Sequence, residues 1–169
     1  MVRRAHIAIH YGTLESGDLA GCESVSKVCG LTLAAGGLKL YPSLSVEQGV
    51  FSLRDGSADA FKVDGTLALK GGATLAVDFG AAGCDCISAT SLDLFGATEE
   101  NPFVIDAKSL GEVSLEKPLA IIEGTVRKDD MRKFRLVCDK PAKLVLRSGS
   151  LALGDVNASV FQGYTILVR

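Results

Sequence analysis

The stretch KVDGTLALKGGATLAVDFGAAGCDCIS, Lys62 to Ser88, decides the fold. Leu67 and Leu69 alternate with smaller residues, and so do Leu75, Val77 and Phe79. Side chains two apart lie on one face of a strand, so each set lays an apolar stripe against a core. Gly71-Gly72 separates the two strands, a loop from Gly80 to Gly83 follows, and a third apolar run begins at CDCIS. Glycine reaches the positive φ that sharp corners need. Gly65, Gly71 and Gly72 are therefore the expected corner residues. Leu67, Leu69, Leu75 and Val77, joined further on by Leu92 and Leu94, are the expected structural core.

The same alternation continues on both sides. Phe51 pairs with Leu53, Phe61 with Val63, Phe103 with Ile105, Phe134 with Leu136, Leu144 with Leu146 and Leu151 with Leu153. Turn residues lie between the pairs: Asp55-Gly56, Asp64-Gly65, Ser148-Gly149 and Gly154-Asp155. The two Asp-Gly pairs are of the kind that closes tight hairpins. Short strands at intervals of roughly 8 to 12 residues predict an all-β sandwich, barrel or solenoid. Helix signals are confined to Glu15–Val28, where Gly17, Gly21, Val25 and Val28 oppose a long helix. No Pro- or Ser-rich linker divides the chain. Residues 1–29 read as an irregular cap or edge segment, and residues 30–169 as one β-repeat domain.

Three segments share one form: GLTLAAGGLKLYPS (Gly30 to Ser43), GTLALKGGATLAVDFG (Gly65 to Gly80) and KLVLRSGSLALGD (Lys143 to Asp155). Each gives a short strand, a few turn residues and a second strand. A unit with one apolar face buries it by stacking on its neighbours. An antiparallel β-sandwich yields the same alternation and stands as the alternative.

The segment VDGTLALKGGATLAVDFG, with the following loop and CDCISATSLDL, resembles the β-strand repeats in passenger regions of bacterial autotransporter-type proteins. The resemblance runs through Gly65, Leu67, Leu69, Gly72, Ala73, Leu75 and Val77, then Asp85 and Ile87, then Leu92 and Leu94. It covers Val63 to Leu94, extends more weakly toward the C-terminus, and does not reach residues 1–29. It implies a right-handed parallel β-solenoid, or β-helix, of short rungs. It also implies an extracellular or cell-surface place and a structural, adhesin-like role without catalysis. The partners implied are neighbouring β-rungs of a larger chain or a second copy, with surface glycans or host proteins beyond them. The opening MVRRAHIAIHYG lacks the apolar core of a signal peptide. Either the protein stays in the cytoplasm or, as the resemblance implies, the chain is a C-terminal fragment of a longer protein. Export would place Cys22 and Cys29 in an oxidising compartment, where they are candidates for a loop disulfide.

Charge excludes some partners. With 18 Lys and Arg against 20 Asp and Glu, the net charge of -2 offers no general basic field for nucleic acid. The densest run, RKDDMRK from Arg127 to Lys133, mixes signs and reads as a solvated loop. No apolar run approaches the ~20 residues of a spanning helix, so no membrane insertion by helices is expected.

Catalytic and metal signatures are sparse. His6 and His10 are the only histidines. On a strand they stand about 13 Å apart, too far to share one ion. Cys84-Asp85-Cys86 is half of a metal or redox motif, and no second close cysteine pair completes it. Cys138 reads as a small core residue. No G-x-S-x-G elbow, phosphate loop or dinucleotide fingerprint occurs. A β-helix polysaccharide-degrading enzyme would need paired carboxylates. Asp64, Asp78, Asp85, Asp93 and Asp106 are the candidates, with Asp78 and Asp93 expected on the solvated face of their strands. A β-sandwich module binding carbohydrate or protein is the other alternative. No catalytic residue, metal ligand or cofactor is assigned.

Overall fold

The computed structural model describes residues 5–9, 22–27, 43–46 and 49–157. Within them run thirteen strands. They are β1 (Ala5–Ile9), β2 (Cys22–Lys27), β3 (Ser43–Val46), β4 (Val50–Ser52), β5 (Ala60–Leu69), β6 (Thr74–Gly80) and β7 (Gly83–Cys84). Then come β8 (Cys86–Asp93), β9 (Phe103–Ser109), β10 (Leu119–Glu123), β11 (Phe134–Cys138), β12 (Lys143–Arg147) and β13 (Ser150–Gly154). The helical element among the described residues is a 3-10 turn at Lys128–Lys133. The protein is all-β.

The strands form two sheets. The first has the order β1-β2-β4-β6-β9-β11, with β7 hooked onto β6. The second has the order β12-β13-β10-β8-β5-β3. From β3 to β6 the chain visits the sheets in turn, and after the β7 hook it does so again from β8 to β11. Each return lays a strand parallel to the previous strand of that sheet.

Parallel register stacks like on like. In the first sheet Ile7, Val25, Phe51, Leu75, Ile105 and Leu136 are successive partners. In the second, Leu44, Leu67 and Leu92 form one column and Phe61, Ile87 and Ile122 another. Leu44, Phe51, Leu67, Leu75, Ile87, Ile105 and Ile122 are buried in one apolar core. Phe51 meets Phe61 edge to face at 5.9 Å, and Phe103 meets Phe134 at 6.3 Å. Such contacts add to the stabilisation from burying the rings.

Antiparallel pairing is local. It occurs between β6 and β7, between β12 and β13, and between β13 and β10. The β12–β13 hairpin turns at Ser148 and Gly149, with φ of 50° and 79°. Positive φ at both central residues gives the twist that a two-residue hairpin needs. The antiparallel sandwich thus does not describe the body of either sheet.

Three local expectations are corrected. Gly65 is not a corner: it lies inside β5, where the register against β8 shifts between Val63 and Thr66. The extra residue bends a continuous strand, and the apolar side of β8 changes from Ile87 and Ala89 to Leu92. Asp55-Gly56 closes no hairpin, because β4 and β5 belong to different sheets. The RKDDMRK run is more than a solvated loop. Its 3-10 turn buries Met131, and the Asp130 carboxyl accepts the Arg127 N–H and the Lys133 ammonium. Residues 1–29, read as an irregular cap or edge segment, contain β1 and β2, which lie at the edge of the first sheet and extend it in parallel. The alternation in AHIAI outweighs the irregular look of that segment, and the Glu15–Val28 helix signal gives way to a strand at Cys22–Lys27.

Candidate functional site

The densest polar arrangement lies where the loop after β4 folds over the outer face of β6. The outward face of a strand normally meets water. Here Asp78, on that face of β6, is 3% exposed, and Asp85, between β7 and β8, is fully buried. The expectation of a solvated Asp78 fails because residues 54–59 cover it.

Each carboxyl is occupied by backbone donors. Gly56 N–H donates to Asp78 Oδ2 at 2.8 Å. Asp59 N–H donates to Asp85 Oδ1 at 2.9 Å, and Asp78 N–H donates to Asp85 Oδ2 at 2.7 Å. Asp85 N–H in turn donates to the Asp78 carbonyl at 2.8 Å. Arg54 spans the same face. Its Nε donates to the Val77 carbonyl at 3.2 Å and lies 3.9 Å from Asp78 Oδ1. Its Nη2 donates to the Asp106 carbonyl at 2.6 Å and pairs with Asp106 Oδ1 at 2.6 Å. One arginine therefore ties the loop to β6 and β9. Buried polar groups in this state are satisfied rather than poised. Among the acids suggested by sequence, Asp78 and Asp85 come together as a bolt between turns of the chain. Asp93 is exposed on β8, and the side chain of Asp64 lies outside the described residues.

The cysteines Cys84 and Cys86 end β7 and begin β8, on either side of buried Asp85. Both are partly buried free thiols, as is Cys138 at the end of β11. Burial, then the negative charge of Asp85, drives the Cys84 thiol far above its ordinary range. Burial and the Glu123 carboxylate push Cys86 up to about 12. Burial raises Cys138 as well. Thiols held in the protonated form are weak nucleophiles and weak metal ligands at neutral pH. No group of three or more His, Cys, Asp or Glu among the described residues is placed to hold a metal ion. Cys138 packs against the core but is only partly buried, because its strand edges the described sheet. Cys29 and the Cys22 side chain lie outside the described residues, and so does their pairing.

The expected core residues divide into two sets. Leu67, Leu69, Leu75 and Val77 are buried essentially completely. Leu92 and Leu94 are only partly buried against the same core. The reason is topological: β10 covers β8 at Ile87 and Ser88 but not at Leu92.

Gly71 and Gly72 do form a corner, between β5 and β6. Gly72 has φ of +84°, the left-handed region that favours glycine. Gly71 serves a different need. A Cβ there would strike the backbone carbonyl oxygens of Gly96 and Asn101. Adjacent corners nest, and Gly72 N–H donates to the Pro102 carbonyl at 3.0 Å.

The Arg54–Asp78–Asp85 bolt was missed by sequence reasoning. Its one legible signal was an acid in an otherwise apolar strand, LAVDF. Comparison with protein-family models, curated proteins and solved structures finds no match to this chain.

Proposed function

We propose that the chain is a right-handed parallel β-solenoid segment of an exported, cell-surface protein. Its role is structural and adhesin-like, spacing and displaying neighbouring parts rather than transforming a substrate. The observation that carries this reading is the alternation of successive strands between two sheets with parallel, in-register neighbours. Stacked aliphatic columns and backbone ladders then give rigidity along one axis. The acids that looked most like a catalytic pair are engaged with backbone N–H groups, which favours a supporting role for them.

Two measurements test the reading. Thr74 and Val104 are register partners on β6 and β9. Cysteines placed at both, in a background without the native cysteines, should be joined by a short bis-maleimide in the monomer. No cross-link would sink the parallel stack. Protease shaving of intact cells of the source organism, followed by immunoblotting, should remove the protein. Complete protection in intact cells with digestion only after lysis would overturn the surface assignment. A glycan array and a reducing-sugar assay address the two alternatives, and the structural reading expects silence in both.

A further inference from the structure

Among the described residues the two sheets end differently on the side of their later strands. The second sheet closes with the antiparallel β12–β13 hairpin. Among the described residues the last strand of the first is β11, whose one strand neighbour there is β9. In a regular parallel pair, alternate backbone groups of a strand point away from its partner. Of the devices that usually blunt such an edge, the strand has its short length and the charge of Arg135. FRLVC contains no proline, and its register with β9 runs unbroken from Phe134 to Cys138. The apolar column of the first sheet also stops short. Its last member, Leu136, is only partly buried, while Phe51, Leu75 and Ile105 are buried. Val137 beside it is 49% exposed.

This end is also where the positive charge gathers. Residues 127–147 hold eight Lys and Arg against three Asp, a net +5 in a chain whose total is -2. The 3-10 turn within that segment packs against β11 and β12. Arg132 leads into the open strand and Arg135 stands on it, both exposed. The overall acidity of the chain hides this local inversion.

We infer that the open edge of β11 accepts an acidic, extended polypeptide segment as an added β-strand. Backbone bonds along the edge would hold it, an apolar residue would cover Leu136, and its carboxylates would face Arg132 and Arg135. Main-chain pairing gives such strand addition its affinity and side chains give its specificity. A second copy fits less well. Pairing with the same β11 edge of another copy would bring two sets of Arg132 and Arg135 to one seam, like charge to like. The inference deepens the partner side of the parallel-stack reading and rests on it.

The test uses the full chain and a labelled peptide that alternates glutamate with isoleucine. Three results are expected. The peptide binds, in fluorescence anisotropy, more tightly at low salt. Arg135→Glu weakens binding by about fivefold or more, the effect of reversing a cross-strand charge pair. Binding slows amide hydrogen exchange at 134–138, which a loose electrostatic contact would not do. Equal binding of a glutamate–proline peptide without that protection would overturn the inference, since proline cannot join a ladder. Equal binding of a lysine–isoleucine peptide would do the same. Concentration-dependent protection of 134–138 without peptide, with dimers in sedimentation, would assign the edge to a second copy instead. If the Thr74–Val104 cross-link forms and no peptide protects β11, the acidic strand alone is refuted. If the cross-link fails, the parallel stack falls first.

Discussion

Asp78 and Asp85 are joined twice, once through the backbone and once through a side chain. Asp85 N–H donates to the Asp78 carbonyl, and Asp78 N–H donates to the Asp85 carboxyl. The other Asp85 oxygen holds Asp59 N–H. One buried side chain thus joins β6 to the loop that covers it.

Removing that side chain strands its donors. Asp85→Ala leaves two N–H groups without their acceptor, at about 1 to 3 kcal/mol each. A urea titration should show a loss of about 2 to 6 kcal/mol. Asp85→Asn should fall between, because its amide keeps one acceptor and turns a donor toward the other N–H. A near-neutral Asp85→Ala would mean that the loop over β6 is held by other contacts.

The leucine columns predict a graded series. Leu67→Ala and Leu75→Ala should each cost about 2 to 5 kcal/mol, as for fully buried leucines. Leu92→Ala should cost roughly 1 to 2 kcal/mol, since part of its surface already meets water. Equal losses at all three sites, measured by denaturation, would contradict the partial burial of Leu92.

The glycine corner separates two physical causes. Gly72→Ala pays for left-handed backbone, roughly 1 to 2 kcal/mol. Gly71→Ala should cost more, because its methyl group meets two backbone carbonyls that cannot both retreat. Thermal melts of the two variants should rank in that order, and the reverse order would argue against the nested corners.

The thiols predict an alkaline limit. Burial and the Glu123 carboxylate hold the Cys86 thiol up at about 12 in the folded chain, above its ordinary value of 9.0. The raised value means that the folded state keeps its proton longer than the unfolded state does. The associated stability is complete below pH about 9 and is lost as pH rises through about 12. Cys86→Ala should flatten that part of the stability profile. At pH 8, alkylation of the native thiols should be much slower than in urea, and equal rates would show that the thiols are not held protonated.

Strand positions were legible because alternation is a local property. Phe51, Leu67, Leu75, Ile105 and Leu153 all face the core as their spacing requires. Partner choice was not legible. Gly71-Gly72 looks the same in sequence whether the next strand folds back as a hairpin or crosses to another sheet. Gly65 shows the same limit, because an Asp-Gly pair can close a turn or bend a strand. Asp78 was misread for a different reason. Its cover comes from residues 54–59, and nothing in LAVDF encodes what another loop will do. Leu92 was over-read because its partial exposure depends on the short reach of β10.

The β12–β13 hairpin has an evolutionary consequence. It reverses chain direction at that edge of the second sheet, so β13 breaks the run of parallel neighbours that ends at β10. A duplicated strand–corner–strand unit fits between β3 and β11, where each strand meets neighbours of its own sense. Length then becomes a heritable variable, lengthened or shortened by recombination between similar corners, while the hairpin keeps its own form.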